Sequence, residues 1–247
     1  MLDGAVDLVA FAAHPDDVEF FCGGTMLLLA DRGHRTAIVD LSEGELSTNG
    51  TRATRAGERD AATELLGLAT RVSLGLPDGA IGCDASHRDA VVAVLRELRP
   101  RIVLAPFPSD RHPDHAATGR LVQEASFFAS VAKHAPRARP HRPQRVYSYM
   151  LHHVFEPSAV VDVTPVWDRR AALVDVYESQ WAEAAEAAPT AINDPHFRKL
   201  LEARATVYGA MVGVAYGEPF HVAGPLRLHE LPELAETSES SRYSAYL

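Results

Sequence analysis

Short apolar runs alternate along the chain with longer segments of helical period, a pattern typical of βα units joined into a mostly parallel sheet. The apolar runs predict strands at residues 6–13, 36–41, 71–74, 102–106 and 146–151, with a weaker sixth at 160–163. The helical period predicts helices at residues 24–32, 54–66, 87–98, 116–133, 166–186 and 197–212. We therefore expect an α/β fold, with a Rossmann-like, mostly parallel sheet flanked by helices in a single domain.

The length of the chain indicates one domain, and its composition indicates a polar tail and one exposed loop. Its 247 residues suit one α/β domain, which we place at residues 1–230, followed by a polar C-terminal tail at residues 231–247. The stretch 187–195, which contains alanine, proline and asparagine, predicts an exposed loop or lid.

Charge and composition exclude several function classes. The chain has 24 Lys and Arg against 33 Asp and Glu, a net charge of −9, so it lacks the basic balance that nucleic-acid binding needs. No apolar window approaches the roughly 20 residues that span a bilayer, and no leader-like segment begins the sequence. The two cysteines cannot build a disulfide framework. These features predict a soluble, cytoplasmic protein with no nucleic-acid or membrane partner.

A first polar motif, Ala12-Ala-His-Pro-Asp-Asp-Val-Glu19, follows the first predicted strand. Pro15 disfavours helical geometry at His14, so the chain should turn there and present His14, Asp16 and Asp17 at the carboxyl end of the sheet. If His14 and Asp17 hold a metal, Asp16 can face the open coordination position as a general base. The alternative is a surface turn in which Asp17 caps the following helix.

A second motif, His112-Pro-Asp-His115, follows the fourth predicted strand. Both motifs therefore leave strand ends at the same edge of the sheet, where open α/β sheets place their chemistry. Imidazole and carboxylate ligands without thiolates suit a zinc ion, and iron(II), cobalt and manganese are not excluded by ligand type. The pair of motifs predicts a mononuclear metal site with an open position.

The two motifs at this separation resemble those of the LmbE-like (PIG-L) family of zinc-dependent sugar N-deacetylases. Four further segments are similar to the branch that contains the bacillithiol-pathway N-acetylglucosaminyl-malate deacetylases, and the similarity extends to about residue 230. They are Asp40-Leu-Ser-Glu-Gly-Glu-Leu-Ser-Thr-Asn-Gly-Thr51, Leu74-Gly-Leu-Pro-Asp-Gly79, Tyr177-Glu-Ser-Gln-Trp181 and Val212-Gly-Val-Ala-Tyr216.

The resemblance implies a role for individual residues. His14, Asp17 and His115 would hold one Zn²⁺ per chain, and Asp16 would be the general base. His112 would stabilise the oxyanion or protonate the leaving amine.

Residues around the two motifs also have assignments. Arg55 and Glu43 would bind substrate, although Arg55 could equally lie in a surface ion pair. Asp110 and Arg111 would contact the metal-binding histidines rather than the metal and hold them in place, since such histidines usually donate their other N–H to an oxygen. His152 and His153 depart from the family pattern, and they either line the pocket or lie on the surface.

The implied activity is removal of an acetyl group from an N-acetylglucosamine-type sugar conjugate, with N-acetylglucosaminyl-malate as the expected small-molecule substrate. Three alternatives stay open: an amidase that cleaves thiol S-conjugates, a deacetylase of another N-acetylglucosaminide, and a sugar- or nucleotide-binding module without a metal. The resemblance also implies a homo-oligomer, with a hexamer as one form.

Overall fold

A seven-stranded sheet in the order β3-β2-β1-β4-β5-β7-β6 forms the centre of the computed structural model, which describes residues 4–134, 138–181 and 188–225. The strands are β1 (Leu8–Ala12), β2 (Thr36–Asp40), β3 (Thr70–Ser73), β4 (Ile102–Pro106), β5 (Arg145–Tyr149), β6 (Ala159–Asp162) and β7 (Gly217–Val222). Strands β1 to β5 pair in parallel, whereas β7 runs antiparallel to both β5 and β6. The predicted α/β fold with a mostly parallel sheet is confirmed.

Seven α-helices are described beside the sheet. They are α1 (Asp17–Asp31), α2 (Arg52–Leu66), α3 (Ala85–Leu98), α4 (Pro113–Ala129), α5 (Trp167–Asp175), α6 (Glu178–Trp181) and α7 (Phe197–Met211). Local signals explain several of their ends. Thr51 caps α2 by accepting from the Thr54 N–H, Asp84 caps α3 in the same way, and Gly67 ends α2 in the left-handed region at φ +60°.

Several predicted boundaries are wrong. Helix α1 begins at Asp17 rather than at residue 24, with a kink at Cys22 that separates its first turn from the remainder. Helix α4 begins at Pro113 rather than residue 116, because proline suits the first helical position, and it ends at Ala129. The single helix predicted at 166–186 is instead α5 and α6, up to the limit of the described residues.

Strand β7 has no counterpart among the predicted strands. Its sequence contains Gly217 and Pro219, residue types that strand interiors disfavour, so the apolar pattern did not reveal it. The predicted tail at residues 231–247 lies outside the described residues.

The side chains of β1 alternate between two apolar cores. Leu8, Ala10 and Ala12 face a core shared with α1, α5 and α7, whereas Val9 and Phe11 face a core shared with α3 and α4. All five residues of β1 are buried, as expected for a central parallel strand that is covered on both faces. In the part of the chain described, no helix has both the length and the apolar character needed to cross a membrane.

The connections that follow β1 and β4 lead to opposite faces of the sheet. These two strands are direct neighbours, with Leu8 opposite Ile102 and Ala10 opposite Leu104. Helix α1 packs on one face and α4 on the other, so the strand order switches between them. Such a switch point leaves a crevice at the carboxyl ends of the strands, and both polar motifs open into it.

Candidate functional site

The first motif forms a tight turn between β1 and α1. The backbone N–H groups of Ala13 and His14 both donate to Asp17 Oδ2, each at 3.0 Å, which fixes the Asp17 carboxylate beneath the turn. Asp16 has φ +125°, a backbone conformation that side chains other than glycine rarely adopt and that costs about 1–3 kcal/mol. The turn therefore holds the two adjacent aspartates in different directions and stores strain at Asp16.

The second motif is fixed by the start of α4. His112 is the residue before the first turn, and its Nδ1 accepts a hydrogen bond from the Asp114 backbone N–H at 3.3 Å. Since a backbone N–H can only donate, His112 Nδ1 carries no proton, and its Nε2 carries the proton of the neutral ring. His115 lies on the first turn of the same helix and is 4% exposed.

The ligand atoms of His14, Asp17 and His115 converge, all within 4.8 Å of one another. His14 Nδ1 is 3.7 Å from Asp17 Oδ2, and His115 Nε2 is 3.2 Å from Asp17 Oδ1. Two imidazole nitrogens and one carboxylate oxygen at this spacing are the three-ligand set of a hydrolytic zinc site. The structure thus brings together the three residues that the resemblance implied as metal ligands.

Carboxylates lie behind both histidines. His14 Nε2 is 3.1 Å from Asp78 Oδ1 and 3.5 Å from Asp114 Oδ2, and His115 Nδ1 is 3.2 Å from Asp110 Oδ1. A carboxylate on the outer nitrogen orients the ring and raises the basicity of the nitrogen that faces a metal. The arrangement fits a divalent cation, because each ring has one nitrogen held and the other directed at Asp17.

The electrostatics of the cluster favour a cation. Burial lowers the pKa of His14, but the carboxylates of Asp114, Asp78 and Asp17 outweigh that effect and raise it to about 10. At His115 burial also lowers the pKa, but the carboxylates of Asp17 and Asp110 outweigh that effect and raise the pKa to about 9. Burial alone would raise the pKa of Asp17, yet the two histidines hold it well below its usual range. In the absence of a metal the site therefore binds protons strongly.

Asp16 lies beside the metal cluster and is held by Arg55. The Arg55 Nη2 donates to Asp16 Oδ2 at 3.0 Å and also to the Pro15 carbonyl, while Nη1 donates to Ser47 Oγ at 3.2 Å. Burial raises the pKa of Asp16 to about 7, and the positive charge of Arg55 opposes that rise. A carboxylate with a pKa near the working pH suits a general base.

A cavity of about 390 Å³ opens above these groups. Loop residues 46–48 and 190–192 lie at its sides. Its lining also contains most of the residues singled out from the sequence, namely His14, Asp16, Asp17, Arg55, Arg111, His112 and His115. Glu43 is not among the lining residues, and its carboxylate pairs with Arg52 instead. Its predicted contact with substrate therefore has no support in this geometry.

Asp110 and Arg111 differ in their surroundings. Asp110 contacts His115 and also accepts hydrogen bonds from the backbone N–H groups of His112, His152 and His153. Arg111 makes no hydrogen bond or ion pair within the described ranges, and it lines the cavity from an exposed position. The structure therefore places Asp110, but not Arg111, directly behind a metal histidine.

The two histidines after β5 have separate environments. His152 lines the cavity and stacks on His115 at a centroid distance of 5.4 Å. Burial and the charges of His115 and Arg111 lower its pKa to about 4, so its ring is neutral at physiological pH. His153 contacts Ser109 Oγ at 3.0 Å and is exposed. One of the pair therefore belongs to the pocket and the other to the surface.

Sequence reasoning gave no role to Asp78 or Asp114, which both contact His14. Asp114 lies inside the second motif, between the two histidines, so its position was already a usable signal. Asp78 follows β3 in the segment Leu74-Gly-Leu-Pro-Asp-Gly79, and no local pattern indicates which histidine it contacts. The Gly79 N–H donates to Asp114 Oδ2 at 2.7 Å, which joins the two segments.

Comparison with known proteins gives one family match and several similar proteins. Residues 9–126 match the family model PIG-L, described as GlcNAc-PI de-N-acetylase. The crystal structure of a conserved protein from Thermus thermophilus, TT1542, is 36% identical with a TM-score of 0.83, and the match covers 92% of this chain and 98% of that chain.

Similar proteins with named activities include two deacetylases. A diacetylchitobiose deacetylase from Thermococcus kodakarensis is 29% identical over 234 residues, covering 89% of this chain and 84% of the relative. A probable N-acetyl-alpha-D-glucosaminyl L-malate deacetylase 2 from Bacillus cereus is 27% identical and covers 70% of this chain and 82% of its own length. A 4-oxalmesaconate hydratase from Pseudomonas putida is 25% identical, with 68% and 72% covered.

Proposed function

The chain belongs to the PIG-L family of de-N-acetylases, and from this premise we propose that it is a zinc-dependent deacetylase whose substrate is N-acetylglucosaminyl-malate. The family and the deacetylase relatives support a metal-dependent deacetylase of N-acetylglucosamine-type substrates. The identity of the ion and of the sugar conjugate are our proposals.

The observation that carries the proposal is the position of Asp16 beside the cluster of His14, Asp17 and His115. The donor set of two imidazoles and one carboxylate suits zinc. A zinc ion held there would supply a Lewis acid for the acetamide carbonyl and acidify the attacking water. The chain itself supplies the general base, the hydrogen-bond donor that stabilises the oxyanion, and the shape of the cavity.

Asp16 removes the proton from the attacking water. Its carboxylate is held by Arg55 at 3.0 Å, so it keeps one orientation as the proton transfers. His112, with its proton on Nε2, donates a hydrogen bond to the negative charge that develops on the carbonyl oxygen when water adds to the carbonyl carbon. When the C–N bond breaks, the proton taken by Asp16 is returned to the leaving nitrogen, which gives acetate and a free amine.

N-acetylglucosaminyl-malate is favoured among acetamido sugars by the Bacillus cereus relative, which is named for that compound. The Thermococcus kodakarensis relative acts by name on diacetylchitobiose, so both relatives remove an acetyl group from an amino sugar. The cavity of about 390 Å³ lies within the range of small-molecule sites, roughly 300–1,000 Å³.

A panel of substrates tests the proposal. The zinc-loaded protein is incubated with N-acetylglucosaminyl-malate, N,N'-diacetylchitobiose, N-acetylglucosamine and an acetamido-sugar S-conjugate, and acetate and primary amine are both measured. We expect equal amounts of acetate and amine, loss of both with a chelator, and recovery with zinc. A lack of acetate from every acetamido sugar would contradict the proposal. Amine without acetate from the S-conjugate would indicate the amidase reaction instead.

A further inference from the structure

A small cavity of about 20 Å³ lies behind one wall of the cavity that holds the metal cluster. Phe20 and Phe21 line both cavities, so these two aromatic side chains lie between them. The other walls of the small cavity are formed by α5, α7 and β7. Since a water molecule needs about 10–15 Å³, the space holds one water molecule or one monatomic ion.

Arg170 on α5 faces this cavity and is 6% exposed. An arginine side chain has five N–H donors, yet within the described ranges the Arg170 guanidinium donates only one hydrogen bond, from Nη2 to the Phe20 carbonyl. Its Nε is buried without a partner, and its guanidinium carbon lies 5.1 Å from the centre of the Trp167 ring. A buried donor without a partner costs free energy and often indicates an ion or a water molecule that binds beside it.

The charges in the lining do not balance. Arg204 on α7 lines the same cavity, and in the described part of the chain it donates to backbone carbonyls but to no carboxylate. Glu218 is the only acidic residue among the described lining residues. Its carboxylate accepts hydrogen bonds from the Gly24 N–H at 2.9 Å, the Thr25 N–H at 2.7 Å and the Thr25 hydroxyl at 2.6 Å. Two guanidinium groups thus face one carboxylate that is already engaged.

The two positive charges also disfavour each other. Burial lowers the pKa of Arg170, and burial together with the charge of Arg170 lowers the pKa of Arg204, although nearby acidic groups oppose both shifts. Leu201 and Pro219 contribute apolar walls, beside which charges interact more strongly than they do in water. A negative charge in the cavity would therefore stabilise both guanidinium groups.

We propose that the small cavity binds a chloride ion, which accepts hydrogen bonds from Arg170 and Arg204. Chloride is an acceptor only, so it complements walls that offer N–H donors and few free acceptors, whereas a water molecule also needs acceptors for its own O–H groups. Its single negative charge offsets the excess positive charge of the lining. The inference does not depend on the proposed function, because none of the residues of the metal cluster is among the described lining residues.

The small cavity adjoins a larger one between two helices. Arg170 also lines a cavity of about 170 Å³ between α5 and α7, and Trp167 and Leu201 are shared by the two cavities. The larger cavity contains Arg198 and Glu202 as well, whose opposite charges offset one another. An ion can therefore reach Arg170 through the space between the helices.

The first test exchanges the anion at constant ionic strength. The melting temperature of the zinc-loaded protein is measured in mixtures of potassium chloride and potassium gluconate at a fixed total concentration, because gluconate is too large for the small cavity. We expect chloride to raise the melting temperature by about 2–6 °C, in steps that follow the logarithm of its concentration, as for a ligand that binds only the folded state. The same melting temperature in both salts would overturn the inference.

The second test removes the buried cation. In Arg170→Met the apolar part of the side chain stays, but the rise in melting temperature with chloride should disappear. Arg169→Met is the matched control, because exposed Arg169 is the next residue of α5 and pairs with Asp31 instead of lining the cavity, so the full rise should remain. A chloride ion bound to the zinc ion or to the protein surface would give the same rise in both variants, which would overturn the inference.

A third measurement uses the natural sequence and does not depend on how the variants fold. Anomalous diffraction at long wavelength locates chloride in crystals grown with potassium chloride. We expect one anomalous peak within hydrogen-bond distance of the guanidinium groups of Arg170 and Arg204. Density for a water molecule there, without an anomalous signal, would show that the cavity is hydrated and binds no chloride.

Discussion

At the scale of single residues, two adjacent aspartates acquire opposite properties from their surroundings. Burial raises the pKa of Asp16 to about 7. Burial acts in the same direction on Asp17, but His115 and His14 outweigh it and hold the pKa of Asp17 well below its usual range. Asp17 therefore stays ionised, as a carboxylate that is to bind a metal must, and Asp16 can exchange a proton near neutral pH. Pairs of carboxylates with separated pKa values are a common way to divide acid–base roles within one site.

Substitution of Asp16 should separate catalysis from metal binding. Asp16→Asn keeps the shape of the side chain, and asparagine tolerates a positive φ, but the amide cannot accept the proton. We expect kcat to fall by about 10²- to 10⁴-fold while zinc content stays at one per chain. Elemental analysis and steady-state kinetics measure both, and Asp31→Asn on exposed Asp31 is the control. Turnover at the parental rate would show that another group is the base.

Metal binding should release protons. With pKa values of about 10 and about 9, His14 and His115 are both protonated at pH 7.5 when no ion is bound, yet a ligating imidazole must be neutral. Zinc binding at that pH should therefore release close to two protons, and apparent affinity should rise with pH up to about 10, the higher of the two pKa values. Two ordinary histidines of pKa about 6.5 would together release only about 0.2 proton. Calorimetry in buffers of different ionisation enthalpy distinguishes these values.

At the scale of elements, the site depends on how closely α4 approaches the loop after β4. A Cβ at Gly119 would lie 2.4 Å from the Pro106 carbonyl oxygen and 3.0 Å from Pro108 Cα, so only glycine fits. This contact fixes the position of the helix that His112 caps and whose first turn carries His115. The position of the second metal histidine is therefore determined by backbone packing further along the helix.

Two helical glycines provide a matched comparison of this packing. Gly119→Ala should lower the free energy of unfolding by about 1–3 kcal/mol and weaken zinc binding, since α4 must shift. Gly57→Ala should raise it by about 0.5–1 kcal/mol, because Gly57 is exposed on α2 with nothing within 4 Å of the added methyl. Urea unfolding measures both changes. An equal effect of the two substitutions would mean that the contact between α4 and the loop is not tight.

The elements that the sequence predicted best are those with local signals. Strands β1 and β4 are continuous apolar runs, and the polar motifs that follow them are contiguous, so these local signals predicted a metal site at this edge of the sheet, whereas the ligand set came from the family resemblance. The starts of α1 and α4 were placed too late, because the motif residues themselves form the first helical turns. Asp78 contacts His14 across a sequence separation of 64 residues, and such a contact arises from tertiary packing that no local pattern encodes.

At the scale of the whole molecule, a buried charge network joins the parts that surround the site. Arg71 on β3 contacts Glu19 on α1 at 2.6 Å and Asp40 on β2 at 2.7 Å, and Tyr177 donates to Glu19 at 2.7 Å. The side chains of Glu19 and Asp40 are fully buried, and that of Arg71 is 5% exposed. One cation thus holds together two carboxylates that would otherwise lie unpaired in the interior.

Removal of that cation should be costly. Arg71→Met should lower the free energy of unfolding by about 3–5 kcal/mol, since it leaves two buried carboxylates without a partner. The loss should be smaller at pH 5 than at pH 8, because burial raises the pKa of Asp40, and a carboxylate with a raised pKa destabilises the folded state only when it must stay ionised. Arg169→Met, which breaks an exposed pair with Asp31, should cost at most about 1 kcal/mol. Urea unfolding measures both losses. Similar losses in the two variants would show that the buried network contributes no more to stability than an exposed ion pair.

The whole fold does not by itself determine the reaction, since a hydratase is among the similar proteins. The polar motifs and the resemblance they carry gave the family, while the loops at the sides of the cavity, residues 46–48 and 190–192, have a geometry that no local pattern specifies. The cytoplasmic location and the homo-oligomer stay predictions.

The placement of β7 has a consequence for the order in which the polypeptide assembles during synthesis. β6 pairs only with β7 among the described strands, and β7 is inserted between β5 and β6 although it is the last of them to leave the ribosome. The nascent chain can dock its first five strands early, but β6 must wait until the residues up to Val222 have been translated. Until then the outer side of β5 is an open edge, able to recruit a foreign strand.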